Sequence, residues 1–164
     1  MGPIPGNRVG SIRGNSAISM NTVAMDTARA DSKAWAPRLL SVLRIVTAML
    51  FMQHGSAKLF HVPHQQMFDQ LQLLSLLGLQ GVLEFFGGLL LVVGLFSRPV
   101  AFVLSGDMAV AYFMAHFPRS WLPIVNGGDL AVLFSFVFLY LCAAGPGPWS
   151  LDAQLARKRL VRRD

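Results

Sequence analysis

The chain has 164 residues, of which 54% are hydrophobic and only 13% charged, about half the charged fraction of an ordinary soluble domain. That argues against a soluble globule and leaves room for one domain. The net charge of +6 does not point to nucleic acid. Ten of the 14 Lys and Arg residues lie in two tails: Arg8, Arg13, Arg29, Lys33 and Arg38, then Arg157, Lys158, Arg159, Arg162 and Arg163. Cytoplasmic flanks facing anionic lipid show this distribution. The one cysteine, Cys142, excludes an internal disulfide and any Cys-x-x-Cys redox or iron–sulfur motif.

In chain order, residues 1–36 read as a disordered, basic, Gly/Ser/Asn-rich tail. No apolar stretch precedes Trp35, so no signal peptide is expected, and Met20 or Met25 are alternative starts. Residues 37–152 read as an all-α, four-transmembrane-helix bundle, and residues 153–164 as a basic cytoplasmic tail. The first span is expected over Leu39–Phe60, after Pro37, and the second from about Leu79 to Phe96. The third runs from Pro99 to about Phe117. The fourth opens at Asn126-Gly127-Gly128-Asp129 and ends at Ala144. These runs approach the roughly 20 residues that cross a hydrocarbon core of about 30 Å, the fourth falling short. They are apolar on every face, as lipid-embedded helices are.

Lys/Arg counting sets an expected orientation. Both tails and the Arg98 turn carry eleven basic residues, whereas the two connections on the other side carry only Arg119. The bias predicts that both tails and the Arg98 turn face the cytoplasm.

Ionisable groups at membrane depth cost several kcal/mol, so each asks for a partner or a task. They are Arg44, His54 and Lys58 on the first helix, Glu84 on the second, Asp107 and His116 on the third, and Asp129 opening the fourth. In the expected orientation His54, Lys58, Glu84, His116 and Asp129 converge on the outer half. At 100° per residue, Arg44, His54 and Lys58 fall within about 80° of one another. Gly81, Glu84 and Gly88 share a stripe of small residues that predicts a close helix contact. Asp107 falls opposite Tyr112 and His116, which makes it a partner for Arg44 rather than for the outer cluster. The structural alternatives are specific: a Lys58–Glu84 ion pair that only fixes helix order, a snorkelling Lys58, and Asp129 as a simple N-cap. No metal site is expected. His61 and His64 resemble a metal pair only faintly beside a wet loop surface.

Several stretches resemble the DoxX family: Gln53-His54-Gly55-Ser56-Ala57-Lys58-Leu59-Phe60, Gly81-Val82-Leu83-Glu84-Phe85-Phe86-Gly87-Gly88 and Gly94-Leu95-Phe96-Ser97-Arg98-Pro99. So do Met108–Phe113 leading to His116, Asn126–Ala131, and Gly145-Pro146-Gly147-Pro148-Trp149-Ser150-Leu151-Asp152. The resemblance covers about residues 38–155. It implies a four-helix bacterial inner-membrane protein, commonly labelled an oxidoreductase and associated with quinone-linked or redox-stress complexes. One departure is Asp129, where the family usually has Glu.

The function expected on these grounds is a membrane subunit of a redox system handling a quinone. His54, Lys58, Glu84 and His116 supply donors to its carbonyl oxygens and a proton-exchanging group. No flavin, nicotinamide, haem or iron–sulfur motif is present, so electrons would come from a redox partner protein. The alternatives are a non-catalytic scaffold whose buried charges specify packing, and a small proton-coupled transporter, which would show inverted repeats or broken helices.

Overall fold

A computed structural model describes residue 2 and residues 9–162, with side chains described without interruption from Trp35 onward as far as Arg162. The chain divides into two units, Met1–Pro37 and Arg38–Asp164. The first is helical from Val9, which departs from the expectation of a disordered tail. Ala24, Ala28, Ala30 and Ala34 are strong helix formers, and no proline interrupts the run before Pro37. Residues 1 and 3–8 of that tail, with Arg8, and residues 163–164 lie outside the described residues.

Five principal helices are present among the described residues. They are α1 (Val9–Phe60), α2 (Leu76–Val93), α3 (Ser97–His116), α4 (Asp129–Ala144) and α5 (Leu151–Val161). One-turn helices at Gln66–Phe68 and Pro123–Asn126 sit in the connections. Trp35–Phe60, Leu76–Val93 and Ser97–His116 are long and apolar enough to cross a membrane. The expected starts of the second and third runs therefore move back by two or three residues. α4, with 16 residues, is about 24 Å long and falls short of the same criterion.

Neither α2 nor α3 is α-helical throughout. Leu83–Gly87 in α2 and Tyr112–His116 in α3 are π turns, closed in α3 by the bond from Phe117 N to Tyr112 O at 2.9 Å. Each widened turn holds candidate site residues, Glu84 in the first and His116 in the second. Such turns concentrate at functional sites because they re-aim side chains.

The core is built from α1 to α4, with Phe51, Leu91, Leu104, Met108 and Phe138 at its centre. Phe51 meets the edge of Phe138 at 4.8 Å between ring centroids. α3 and α4 pack along their lengths, and a reciprocal serine exchange stitches them together. Ser105 Oγ donates to Ser135 O at 2.8 Å, and Ser135 Oγ donates to Ser105 O at 3.0 Å. Outward-facing Phe102, Leu133 and Phe136 are exposed, the inverse of a soluble bundle and the surface lipid would cover.

The glycine stripe on α2 packs where its spacing predicts. A Cβ on Gly55 would lie 2.5 Å from Phe85 N and 2.9 Å from Gly81 O, and one on Gly88 would lie 2.5 Å from Met52 Cγ. α1 and α2 thus touch backbone to backbone beside Glu84, the small-residue contact that lipid-embedded helices favour.

Candidate functional site

At one end of the bundle, Lys58 from α1 and Glu84 from α2 face each other across the glycine contact. Lys58 Nζ lies 2.7 Å from Glu84 Oε1 and donates to Gln80 Oε1 at 3.0 Å. Both residues are buried, with 7% and 3% of their surfaces exposed. Lys58 therefore does not snorkel; its ammonium is held inside, 5.8 Å from the Phe68 ring centroid. Glu84 Oε2 is buried without a hydrogen-bond partner.

A cavity of about 400 Å³ opens beside this pair. His54, Lys58, Glu84 and His116, the four residues singled out from the sequence, all line it. The rest of its wall is mainly apolar, including Phe68, Leu77, Met108, Leu130 and Phe134, with Gln80 and Arg119 as the other polar members. The His54 ring meets Phe134 edge-on at 6.1 Å between centroids.

His116 is set by the α3–α4 connection. Its Nδ1 lies 3.1 Å from Asn126 O, and because a carbonyl only accepts, Nδ1 is the donor. In the neutral ring that leaves Nε2 as the accepting nitrogen. Asn126 is buried and organises this connection. Its Nδ2 donates to Ser120 O at 2.6 Å, and its Oδ1 accepts from Gly128 N at 2.7 Å. Tyr112 OH donates to Trp121 O at 3.0 Å. Sequence reasoning missed Gln80 and Asn126. The first could have been found as the residue one turn before Glu84, the second as a polar residue preceding two glycines.

The remaining expectations need correction. Arg44, completely buried, does not pair with Asp107; backbone carbonyls surround it. Its Nε donates to Pro146 O at 2.9 Å, Nη1 to Leu91 O and to Val92 O (2.9 Å), and Nη2 to Trp149 O at 2.5 Å. Leu91 and Val92 lie in the last turn of α2, at the negative end of the helix dipole. Asp107 forms no ion pair among the described residues, and its Oδ2 is buried without a hydrogen-bond partner. Asp107 is not among the residues that line the cavity. Asp129 is exposed in the first turn of α4; Gly128 occupies the N-cap and no side chain caps it. Its carboxylate complements the helix dipole without closing the helix end.

Near Arg44, two further charged groups are anchored to backbone. Arg98 Nη1 donates to Cys142 O (2.8 Å) and Ala143 O (2.7 Å) at the end of α4. Asp152 accepts from Phe96 N at 3.0 Å and Ser97 N at 2.8 Å, closing the start of α3. Partial burial works to raise the Asp152 carboxyl, but those two N–H bonds and the nearby Arg44 charge prevail and hold it below the usual carboxylate range. Gly94 is required here, at φ +71°, because a Cβ on it would lie 2.4 Å from Ser150 Cβ and 3.0 Å from Arg44 Nη1.

In the connection after α1, His64 Nε2 lies 2.9 Å from Asp69 Oδ1 on an exposed surface. Among the described residues no group of three His, Cys, Asp or Glu is arranged to hold a metal ion.

Apolar helices with lipid-type surfaces and a charged cavity enclosed between them define a helical membrane protein. The DoxX family model matches residues 39–117. An uncharacterized protein of Haemophilus influenzae is 40% identical over 131 residues, covering 74% of this chain and 94% of that protein. The chain belongs to the DoxX family. No solved structure matches it.

Proposed function

We propose that this chain is a membrane subunit that binds a quinone, or a similar lipid-soluble redox carrier, in the cavity lined by His54, Lys58, Glu84 and His116. Glu84 carries the proposal. It is buried and tied to Lys58 through one oxygen, while its other oxygen has no partner and the residue lines a mostly apolar cavity. A carboxylate serving only to fix helix order would be expected to have both oxygens satisfied. A cavity of about 400 Å³ is also of the size that holds small ligands.

In this reading Lys58 and Gln80 donate to a carbonyl oxygen of the carrier, Glu84 exchanges the proton, and His116 Nε2 accepts from a hydroxyl on the reduced form. Electrons pass through a redox partner protein. All four helices cross the bacterial inner membrane, with both termini cytoplasmic, as the eleven-to-one charge bias favours. α4 supports this despite its length. Leu130, Ala131 and Phe134 near its start line the cavity, and the segment after it meets the end of α2 at Arg44. A cytoplasm-only reporter fused after the last residue should be active, and the same reporter inserted near Gln66 silent; the reverse would invert the orientation.

An azido-quinone photolabel on the purified protein tests the carrier. Labelling should map to peptides holding His54, Lys58 or Glu84 and be competed away by excess quinone. Labelling that excess quinone does not reduce would remove the carrier from this cavity.

A further inference from the structure

The connection between α3 and α4 bonds its backbone within the protein and turns its apolar side chains outward. Four consecutive carbonyls accept from protein donors. Ser120 O accepts from Asn126 Nδ2 at 2.6 Å, and Trp121 O from Tyr112 OH at 3.0 Å. Leu122 O accepts from Val125 N at 3.0 Å and Asn126 N at 3.1 Å, and Pro123 O from Gly128 N at 3.1 Å. Asn126 O meets the His116 ring, and Asn126 Oδ1 also accepts from Gly128 N. Asn126, at the centre of this frame, is only 4% exposed. Outside it, Trp121, Ile124 and Val125 are 72%, 82% and 67% exposed.

A loop in water has no need of this arrangement, because water satisfies its carbonyls and large apolar side chains turn inward. At membrane depth the demands reverse: irregular backbone must find its partners in the protein, and apolar side chains face lipid. The outward surface is also continuous with a span. Phe113, Met114 and Phe117 are exposed at the end of α3, a helix long and apolar enough to cross a membrane, and the connection follows them directly. Tryptophan favours the boundary between headgroups and hydrocarbon. Arg119 and Asp129, both exposed, bracket the apolar stretch, as charges placed among headgroups would. We infer that residues 120–128 form an interfacial segment seated in the bilayer boundary, not an aqueous loop. Trp121, Ile124 and Val125 anchor it in lipid, and the Asn126 side chain supplies the backbone hydrogen bonds that lipid cannot. Arg119 and Gly127 also line the cavity, so one rim of the cavity lies at lipid level. The inference stands apart from the identity of any carrier.

The chain has three tryptophans, Trp35, Trp121 and Trp149, so Trp35→Phe combined with Trp149→Phe leaves Trp121 as the only fluorophore of its kind. The full-length variant is reconstituted in phosphatidylcholine vesicles, with and without phosphatidylcholine brominated on its acyl chains. Brominated lipid should lower Trp121 emission by about twofold or more, and acrylamide in the water should quench it far less than it quenches free tryptophanamide. If the double variant does not fold, the emission lost between wild type and Trp121→Phe gives the same comparison. Asn126→Ala, with its helices confirmed by circular dichroism, leaves Ser120 O without its donor and should raise acrylamide quenching of Trp121 by about twofold or more. Trp121 quenched by acrylamide like the free amide and untouched by brominated lipid would overturn the proposal, and would make the apolar face a docking surface for a protein in water. Unchanged quenching in Asn126→Ala would overturn the role given to Asn126. Quinone photolabelling that fails while Trp121 behaves as described would overturn only the carrier.

Discussion

The two ends of the bundle both bury charge, and they treat it in opposite ways. Around Arg44 three charged groups meet backbone: Arg44 holds carbonyls from the end of α2 and the segment after α4, Arg98 holds the end of α4, and Asp152 closes the start of α3. Around Glu84 the charges meet one another and a cavity, and one of its carboxylate oxygens is left over. A buried charge with a hydrogen-bond partner on each polar atom is a clasp. One with a hydrogen bond to spare, beside a void, has capacity for a ligand or a proton.

The largest effect should come from breaking the clasp. Arg44→Met removes a buried guanidinium bonded to four carbonyls, and hydrogen bonds to charged groups contribute about 1.5–3 kcal/mol each. Membrane abundance and thermal unfolding in detergent should both collapse. Arg44→Lys should rescue poorly, because a compact ammonium cannot span acceptors on two segments as the planar fork does. Near-normal stability in Arg44→Met would show that this end does not hold the bundle together.

Next in size is the Lys58–Glu84 pair. Glu84→Ala strands the ammonium and should lower stability by about 3–5 kcal/mol, while adding Lys58→Ala should restore part of the loss. Abundance of the double variant at or below that of Glu84→Ala would mean that the pair contributes more than mutual neutralisation.

Much of the cavity end was legible in the sequence, because charges and glycines stand out against apolar runs. His54, Lys58 and Glu84 could be placed on faces by simple periodicity, and the stripe through Gly81 and Gly88 announced the α1–α2 contact. The clasp was far less legible. Arg44 binds main-chain carbonyls, which leave no mark in the side-chain pattern, so it was assigned the nearest acid of suitable depth. Asp129 looked like a cap from its position after two glycines, whereas Gly128 takes that place.

A smaller effect is expected at Asp152. Its folded carboxyl lies below the ordinary range, so its contribution is complete above an unfolded value of about 3.9. The contribution is lost as pH falls through the lower folded value. Asp152→Asn should cost about 1 kcal/mol at neutral pH, the scale of a helix cap, and should flatten the acid limb of the stability profile. An unchanged acid limb would remove Asp152 from the clasp.

The difference between the two ends is tested most directly by Glu84→Gln, with membrane abundance and survival of redox stress measured in the same cells. The amide keeps the shape and can still accept from Lys58, but it cannot exchange a proton. Abundance near wild type with survival reduced to that of a deletion strain is the expected result. Normal survival at normal abundance would contradict the account and leave the Glu84 end as structural as the Arg44 end.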